Sequence, residues 1–453
     1  MTDAKIVAPL IVFALTACAQ GASTSALPAT AAGPARAVVG SVERAALVQN
    51  ELPTPIGHVV VVIQENRTPD NLFQGIPGAD ISRFAKDSQG ERVELHPVSL
   101  SAHYDLHHEH ASFLTDYDDG AMDGFDAGMS RRTHLRPFGY APESEVAPYH
   151  DMAKQYVFAD RMFQSNEGPS FPAHLYLISG TATDPALTGY RVRDNPYDAL
   201  SGHAEAGGCD ARSQVVVATI EITNGAKGPT PFPCFDRAVL SDLLDAKHVS
   251  WRYYQEKDGA GLWHPFDAIK HVRYGKDYAN VVTSSQQFLT DIGRGQLAGV
   301  TWISPADQWS DHAGRHATSQ GPSWVAAIVN EVGRSRYWKD TAIFVVWDDW
   351  GGWYDHVAPP IDNAYELGCR VPLVVISPYA KRGYVSKVPH EFGSLLAFTE
   401  ETFGIPKGSL GTTDERADDL KDAFDFTQKP RAFVPIKAPP FRAGAEQSSD
   451  EDP

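Results

Sequence analysis

The sequence predicts an α/β fold with a mainly parallel central sheet and helices on both of its faces. Three observations carry that expectation. Several apolar runs lack polar alternation, a helical pattern precedes one of them, and polar residues follow directly on three of them. The elements are taken in chain order.

"MTDAK" is followed by the apolar stretch "IVAPLIVFALTA", too short to span a bilayer, and then by "LTAC". Residues 1–18 read as an export signal of the lipoprotein type, with Cys18 as the lipidated residue. An ordinary signal peptide with an incidental cysteine is the alternative. Residues 19–52 are rich in Ala, Ser, Thr, Pro and Gly, the composition of a tether. Residues 53–435 are expected to form a single catalytic domain with a variable insertion near 183–250. Residues 436–453 read as an acidic, disordered tail. The protein is thus expected to be exported, to the periplasm or cell surface or into the medium, with an N-terminal lipid as its only membrane attachment. Export permits disulfides, and Cys209 with Cys234 forms a plausible pair, whereas Cys369 reads as a buried thiol.

"HVVVVI" (58–63), "GVTWIS" (299–304), "TAIFVVW" (341–347) and "RVPLVVIS" (370–377) have the continuous apolar character of strands buried on both faces. Between the second and third, Pro322 opens a helix whose apolar face is Val325, Ile328, Val329 and Val332, and Gly333 is expected to end it. In open parallel sheets, sites form beyond the carboxyl ends of strands. The first strand runs into Gln64, Glu65 and Asn66, the second into "PADQWSDHAGRH", and the third into Asp348 and Asp349. Adjacent carboxylates repel, so a positive group is expected between them.

Glu65, Asn66, Asp348 and Asp349 offer only oxygen, which suits a hard divalent cation. Histidine ligands or a second metal stay open, as does a plain role in capping or ion pairing. Ser170, in "GPSFPAHLYLIS", falls at the start of a helix. It is either an N-cap or, beside a metal, a nucleophile. His107, His108, His110, His312 and His316 lie in two loops and could balance phosphate charge or protonate a leaving oxygen. The chain lacks a G-x-S-x-G elbow, a P-loop, a G-x-G-x-x-G element and an HExxH motif. A formal net charge of -18 argues against nucleic acid as a partner.

Taken together, "HVVVVIQENRTPDNLFQG", "GAMDGF", "GPSFPAHLYLISGTA", "SDH", "VVWDDWGGWYDHVAPP" and "CRVPLVVISPYAKRGYVS" resemble the bacterial phosphoesterase family over roughly residues 56–405. That family holds the phosphatidylcholine-type phospholipases C and related acid phosphatases. The resemblance implies an alkaline-phosphatase-like three-layer α/β/α sandwich. It implies one divalent cation (Ca, Mg, Mn or Zn) held by Glu65, Asn66, Ser170, Asp348 and Asp349, with Ser170 as nucleophile. It also implies His108 and His312 on the phosphate, and Asp355 and His356 in support.

Two departures stand out. "WDD" replaces "YDE", and Pro172-Ala173-His174 replaces "PNR", which removes a cationic contact. A further phosphate-binding histidine does not align in the segment 248–254. The expected activity is metal-dependent hydrolysis of phosphate esters through a phosphoserine, with an acid-phosphatase-like phosphomonoesterase first. A phospholipase C-type phosphodiesterase on phospholipid head groups is the alternative, and a catalytically silent binding lipoprotein the reading of another class.

Overall fold

The computed structural model describes residues 54–314 and 317–441. Its contacts divide the chain into Met1–Leu52 and Pro53–Pro453, and every described residue lies in the second unit. Cys18, the signal and tether segments, His316 and the end of the acidic tail lie outside the described residues.

Eight strands form the central sheet, numbered in chain order: β1 (His58–Gln64), β2 (Val157–Ala159), β3 (Trp251–Tyr254), β4 (Val281–Val282), β5 (Val300–Ile303), β6 (Thr341–Trp347), β7 (Leu373–Ile376) and β8 (Tyr384–Ser386). Their spatial order is β4-β3-β5-β1-β6-β7-β2-β8. The run from β4 to β6 is parallel throughout, with Val59 opposite both Val300 and Ala342. β7 departs from the expected direction and pairs antiparallel with both β6 and β2, while β8 pairs parallel with β2. Burial on both faces produces the apolar run in either direction, so composition alone could not orient β7.

Among the described residues five helices have eight residues or more: α1 (His110–Tyr117), α2 (Glu143–Gln155), α3 (Ser170–Ser179), α4 (Gly321–Arg334) and α5 (Phe392–Thr402). Side chains alternate along β6, so Phe344 and Trp347 leave opposite faces. Phe344 meets Phe398 of α5 and Trp347 meets Tyr149 of α2. α2 packs on α4, and α3 on α5. These contacts make the three layers. Within them Val325, Ile328, Val329 and Val332 are fully buried, as are Val60, Val62 and all of β6. Each such aliphatic side chain is worth roughly 1.5–3 kcal/mol of burial.

Gly333 does not end α4, which continues to Arg334. A side chain at Gly333 would strike the ring of Phe433 at 2.4 Å, so the glycine is there for packing. The chain also stays packed past the expected start of the tail at 436. Asn330 brackets Ile436 with two hydrogen bonds, and Phe441 lies against Trp309. Within 183–250, two short antiparallel ribbons form, and Cys209 is bonded to Cys234. Cys369 is free and buried. Among the described residues no helix is long and apolar enough to cross a membrane.

Candidate active site

β5, β1 and β6 are adjacent and parallel, so their carboxyl ends open at one edge of the sheet. The four residues after the body of β1 divide their work. Gln64 donates to Trp309 O and accepts from Asp311 N, both at 2.9 Å, and Arg67 Nε donates to Asp311 O at 2.8 Å. These two side chains tie down the loop that follows β5. Glu65 turns instead toward Ser170 and His174, and the Asn66 amide toward His108.

The turn at Asn66 is left-handed (φ 58°), and its N–H donates to Asp348 Oδ1 at 3.0 Å. That carboxylate oxygen also accepts from Asp349 N (2.8 Å), while Asp349 Oδ1 accepts from Gly351 N (2.7 Å). Gly351 has φ 61°, and a Cβ there would lie 2.5 Å from Asn66 O. The glycine thus lets the two strand-end turns touch, which directs both aspartates inward.

α3 begins at Ser170, and Ser170 Oγ lies 3.2 Å from Glu65 Oε2 and 3.2 Å from Asp349 Oδ2. Ser170, Glu65, Asp348 and Asp349 have no exposed surface. Few amides of the first turn remain for an anion. Phe171 N donates to Asn195 Oδ1 (2.9 Å), Pro172 has no N–H, and Ala173 N donates to Pro169 O (3.3 Å). An anion at this end would rely on the helix dipole and Ser170 N–H rather than on a ring of amides.

The residue that sequence reasoning missed is His174. One turn along α3 from Ser170, it is wholly buried, with Nε2 3.0 Å from Glu65 Oε1 and 3.7 Å from Asp348 Oδ2. Burial, reinforced by His264 and opposed by Asp348, holds its pKa down at about 4, so the ring is neutral near pH 7. The replacement of "PNR" by Pro172-Ala173-His174 was the available signal. It reads as the loss of a cationic contact, whereas the structure fills the position with a neutral nitrogen donor.

His108 is set by the backbone. Its Nδ1 faces Leu106 O at 2.7 Å, an acceptor only, so Nδ1 carries the proton. In the neutral ring Nε2 therefore accepts, and Asn66 Nδ2 donates to it at 3.0 Å. This fixes the Asn66 amide and turns Oδ1 the other way, where that buried oxygen has no hydrogen-bond partner. Asp348 Oδ2 is likewise buried without one. Glu65, His174 and Asp348 each offer a ligand atom within 4.8 Å of the others. An orphaned Asp348 oxygen grouped with the buried Glu65 carboxylate and a neutral imidazole, and a second orphaned oxygen on Asn66, fit a divalent cation. The histidine nitrogen widens the oxygen-only set expected from the sequence.

His312 Nδ1 donates to Ala313 O (2.5 Å), and its ring centre is 5.8 Å from that of His108. His107 is exposed, and His110 Nδ1 faces Glu167 O. His248 is exposed at a left-handed turn (φ 57°), and from the neighbouring strand it is Tyr253 whose hydroxyl reaches His174 Nδ1, at 3.5 Å. Asp355 and His356 belong to another network. Arg370 clamps Asp355 at 2.8 and 2.9 Å, and His356 bridges Asp70 (2.8 Å) and Asp80 (3.1 Å).

The sequence profile of the Phosphoesterase family matches residues 56–406. The non-hemolytic phospholipase C of Pseudomonas aeruginosa is 23% identical over 82% of this chain and 57% of its own length. Phospholipase C A of Mycobacterium tuberculosis is 24% identical over 86% of this chain and 81% of its own. The non-specific phospholipase C6 of Arabidopsis thaliana is 23% identical over 86% and 76%. The chain spans less than two thirds of the two Pseudomonas relatives, at 57% and 60%. Among solved structures, a protein in the alkaline phosphatase superfamily from Vibrio parahaemolyticus matches with a TM-score of 0.38 and 9% identity, covering 82% of this chain and 71% of that one.

Proposed function

The chain belongs to the phosphoesterase family, and on that premise we propose that it is an exported phosphodiesterase of the phospholipase C type, with Ser170 as nucleophile. The observation that carries this reading is the pair of 3.2 Å contacts from Ser170 Oγ to Glu65 Oε2 and Asp349 Oδ2. They give the hydroxyl two proton acceptors in a dry setting.

Monoester hydrolysis was the first expectation from the sequence. The relatives named above are phospholipases C, which favours the diester alternative. A cavity of about 550 Å³ lined by Leu106, His107 and Gly352 adjoins His108 and the 348–352 turn. It has room for a second alcohol of a diester. The Cys209–Cys234 bond supports export into an oxidising compartment.

A cation held by Glu65, Asn66, Ser170, Asp348, Asp349 and His174 would supply Lewis-acid stabilisation of serine alkoxide and phosphate charge. The protein's own groups do the rest. The Glu65 and Asp349 carboxylates orient Ser170 Oγ and draw its proton. Asn66 stays fixed by its hydrogen bond to His108. The Nδ1–H of His312 is committed to Ala313, so it is Nε2–H of the protonated ring that gives its proton to the departing alcohol. Phosphoserine then yields to water, with the same imidazole as base. His108 holds its Nε2 on Asn66 and is a positioning group.

Rates on p-nitrophenyl phosphorylcholine and p-nitrophenyl phosphate, each with and without chelator, test the assignment. The diester is expected to be the better substrate by kcat/KM, with both activities lost to chelator. A clear preference for the monoester would return the protein to the phosphatase reading.

A further inference from the structure

α3 runs from Ser170 to Ser179, and Gly180 closes it in the left-handed conformation (φ 64°). At that far end, roughly 15 Å along the helix from Ser170, lies a cavity of about 440 Å³. Its wall includes Arg191, Arg237, Arg416, Glu366, Thr412 and Thr413. Three guanidinium groups and one carboxylate, that of Glu366, line this wall.

The charges of this pocket are not equally matched. Arg191 Nε and Arg416 Nη1 share Glu366, at 2.8 and 2.9 Å, and Arg416 also holds Glu391 and Asp362. Arg237 is 8% exposed, and its two Nη groups both donate to the carbonyl of Thr181. No carboxylate of the described residues comes within ion-pair distance of it, and its buried Nε has no partner. A guanidinium carries five N–H donors, so three are left over. Thr413 Oγ1, on the same wall, is also buried without a partner. Burial, aided by Arg191 and resisted by Tyr176 and Asp184, pulls the pKa of Arg237 down to about 9. A buried cation without an anion is costly, and a fold that keeps one beside an open cavity has a use for it.

We infer that this pocket is a second anion site, separate from the catalytic centre, that binds a phosphate-type oxyanion between Arg237 and Thr413. Bound there, the anion would link the end of the nucleophile helix to the 410–416 loop. The inference does not depend on the activity proposed above.

Equilibrium dialysis with labelled inorganic phosphate tests it on the full chain. Wild type is expected to bind one more phosphate per chain than Arg237→Met, while hydrolysis by the variant stays within about twofold. If the catalytic reading fails, both counts drop by one and the difference remains. In phosphate-free buffer, Arg237→Met is expected to melt no lower than wild type, because it removes an unmatched buried charge. Thr413→Val leaves the charges in place and is expected to weaken this phosphate about fivefold, the worth of one hydrogen bond. Co-sedimentation with phosphatidic acid vesicles that depends on Arg237 would make the anion a lipid head group, and phosphate binding without co-sedimentation a free ion. Equal phosphate counts in wild type and Arg237→Met would overturn the inference. So would a clear fall in the variant's melting temperature without phosphate, which would mark Arg237 as a helix cap alone. If Arg237→Met does not fold, an unchanged affinity in Thr413→Val overturns it.

Discussion

His174 Nε2 lies 3.0 Å from Glu65 Oε1, and neither residue has any exposed surface. The contact joins α3 to the end of β1 and places a nitrogen donor among carboxylates. Replacing His174 by Ala is expected to lower the affinity for the cation by at least about tenfold, the scale typical of disturbing a metal site's supporting groups. Metal content after dialysis is the direct measure. Retention of a full equivalent would reduce His174 to a hydrogen-bond donor.

The same residue makes the stability fall on the acid side. Its folded pKa is about 4 against an ordinary 6.5, so the unfolded chain binds the extra proton between those values. Stability contributed above pH 6.5 is therefore lost as pH falls toward 4, by on the order of 3 kcal/mol. Urea unfolding of cation-free wild type and His174→Gln at both ends of that window should show the slope disappear in the variant.

His356 gives the opposite sign. Burial disfavours its charge, but the hydrogen bond and charge of Asp70, with Asp355, raise its pKa to about 9. The stabilisation is fully present below pH 6.5 and is lost as pH rises through 9, roughly 2–3 kcal/mol in all. His356→Asn should unfold more easily than wild type at pH 6 and converge with it near pH 10. Parallel curves across that range would break the assignment.

Asp348 Oδ2 is buried without a hydrogen-bond partner, and the Glu65 carboxylate shares its cluster. Asp348→Asn is expected to lose the cation and about a thousandfold or more in kcat/KM, while melting no lower than wild type in chelator, since one repelling charge is gone. A variant that melts lower in chelator would show that Asp348 is structural first.

The Cys209–Cys234 bond spans 25 positions of the 183–250 segment. Its removal by Cys209→Ala/Cys234→Ala is expected to cost about 3 kcal/mol with kcat unchanged. A large loss of kcat at intact stability would place this segment in the site instead.

The placement of Glu65, Asn66, Asp348 and Asp349 at one end of the sheet was legible because a strand buried on both faces must shed its polar residues where it ends. The start of α3 at Ser170 was legible from Pro172. Four features were not. β7 leaves no trace of its direction in an apolar run. His174 replaces a charged residue, and only the fold shows that a neutral nitrogen fills the space. The split of Gln64 and Arg67 from Glu65 and Asn66 depends on where the 309–312 loop returns, which no local pattern states. The network of Asp355 and His356 with Arg370 and Asp70 joins segments far apart in the chain, so adjacency to the site motif could not disclose it.

The most direct test of the account is acid quenching during turnover of p-nitrophenyl phosphorylcholine, followed by mass analysis of the peptide that contains Ser170. The account predicts one phosphoryl group on Ser170 in the wild type, and neither that adduct nor turnover in Ser170→Ala. Full activity in Ser170→Ala, or a phosphoryl group trapped on another residue, would contradict it.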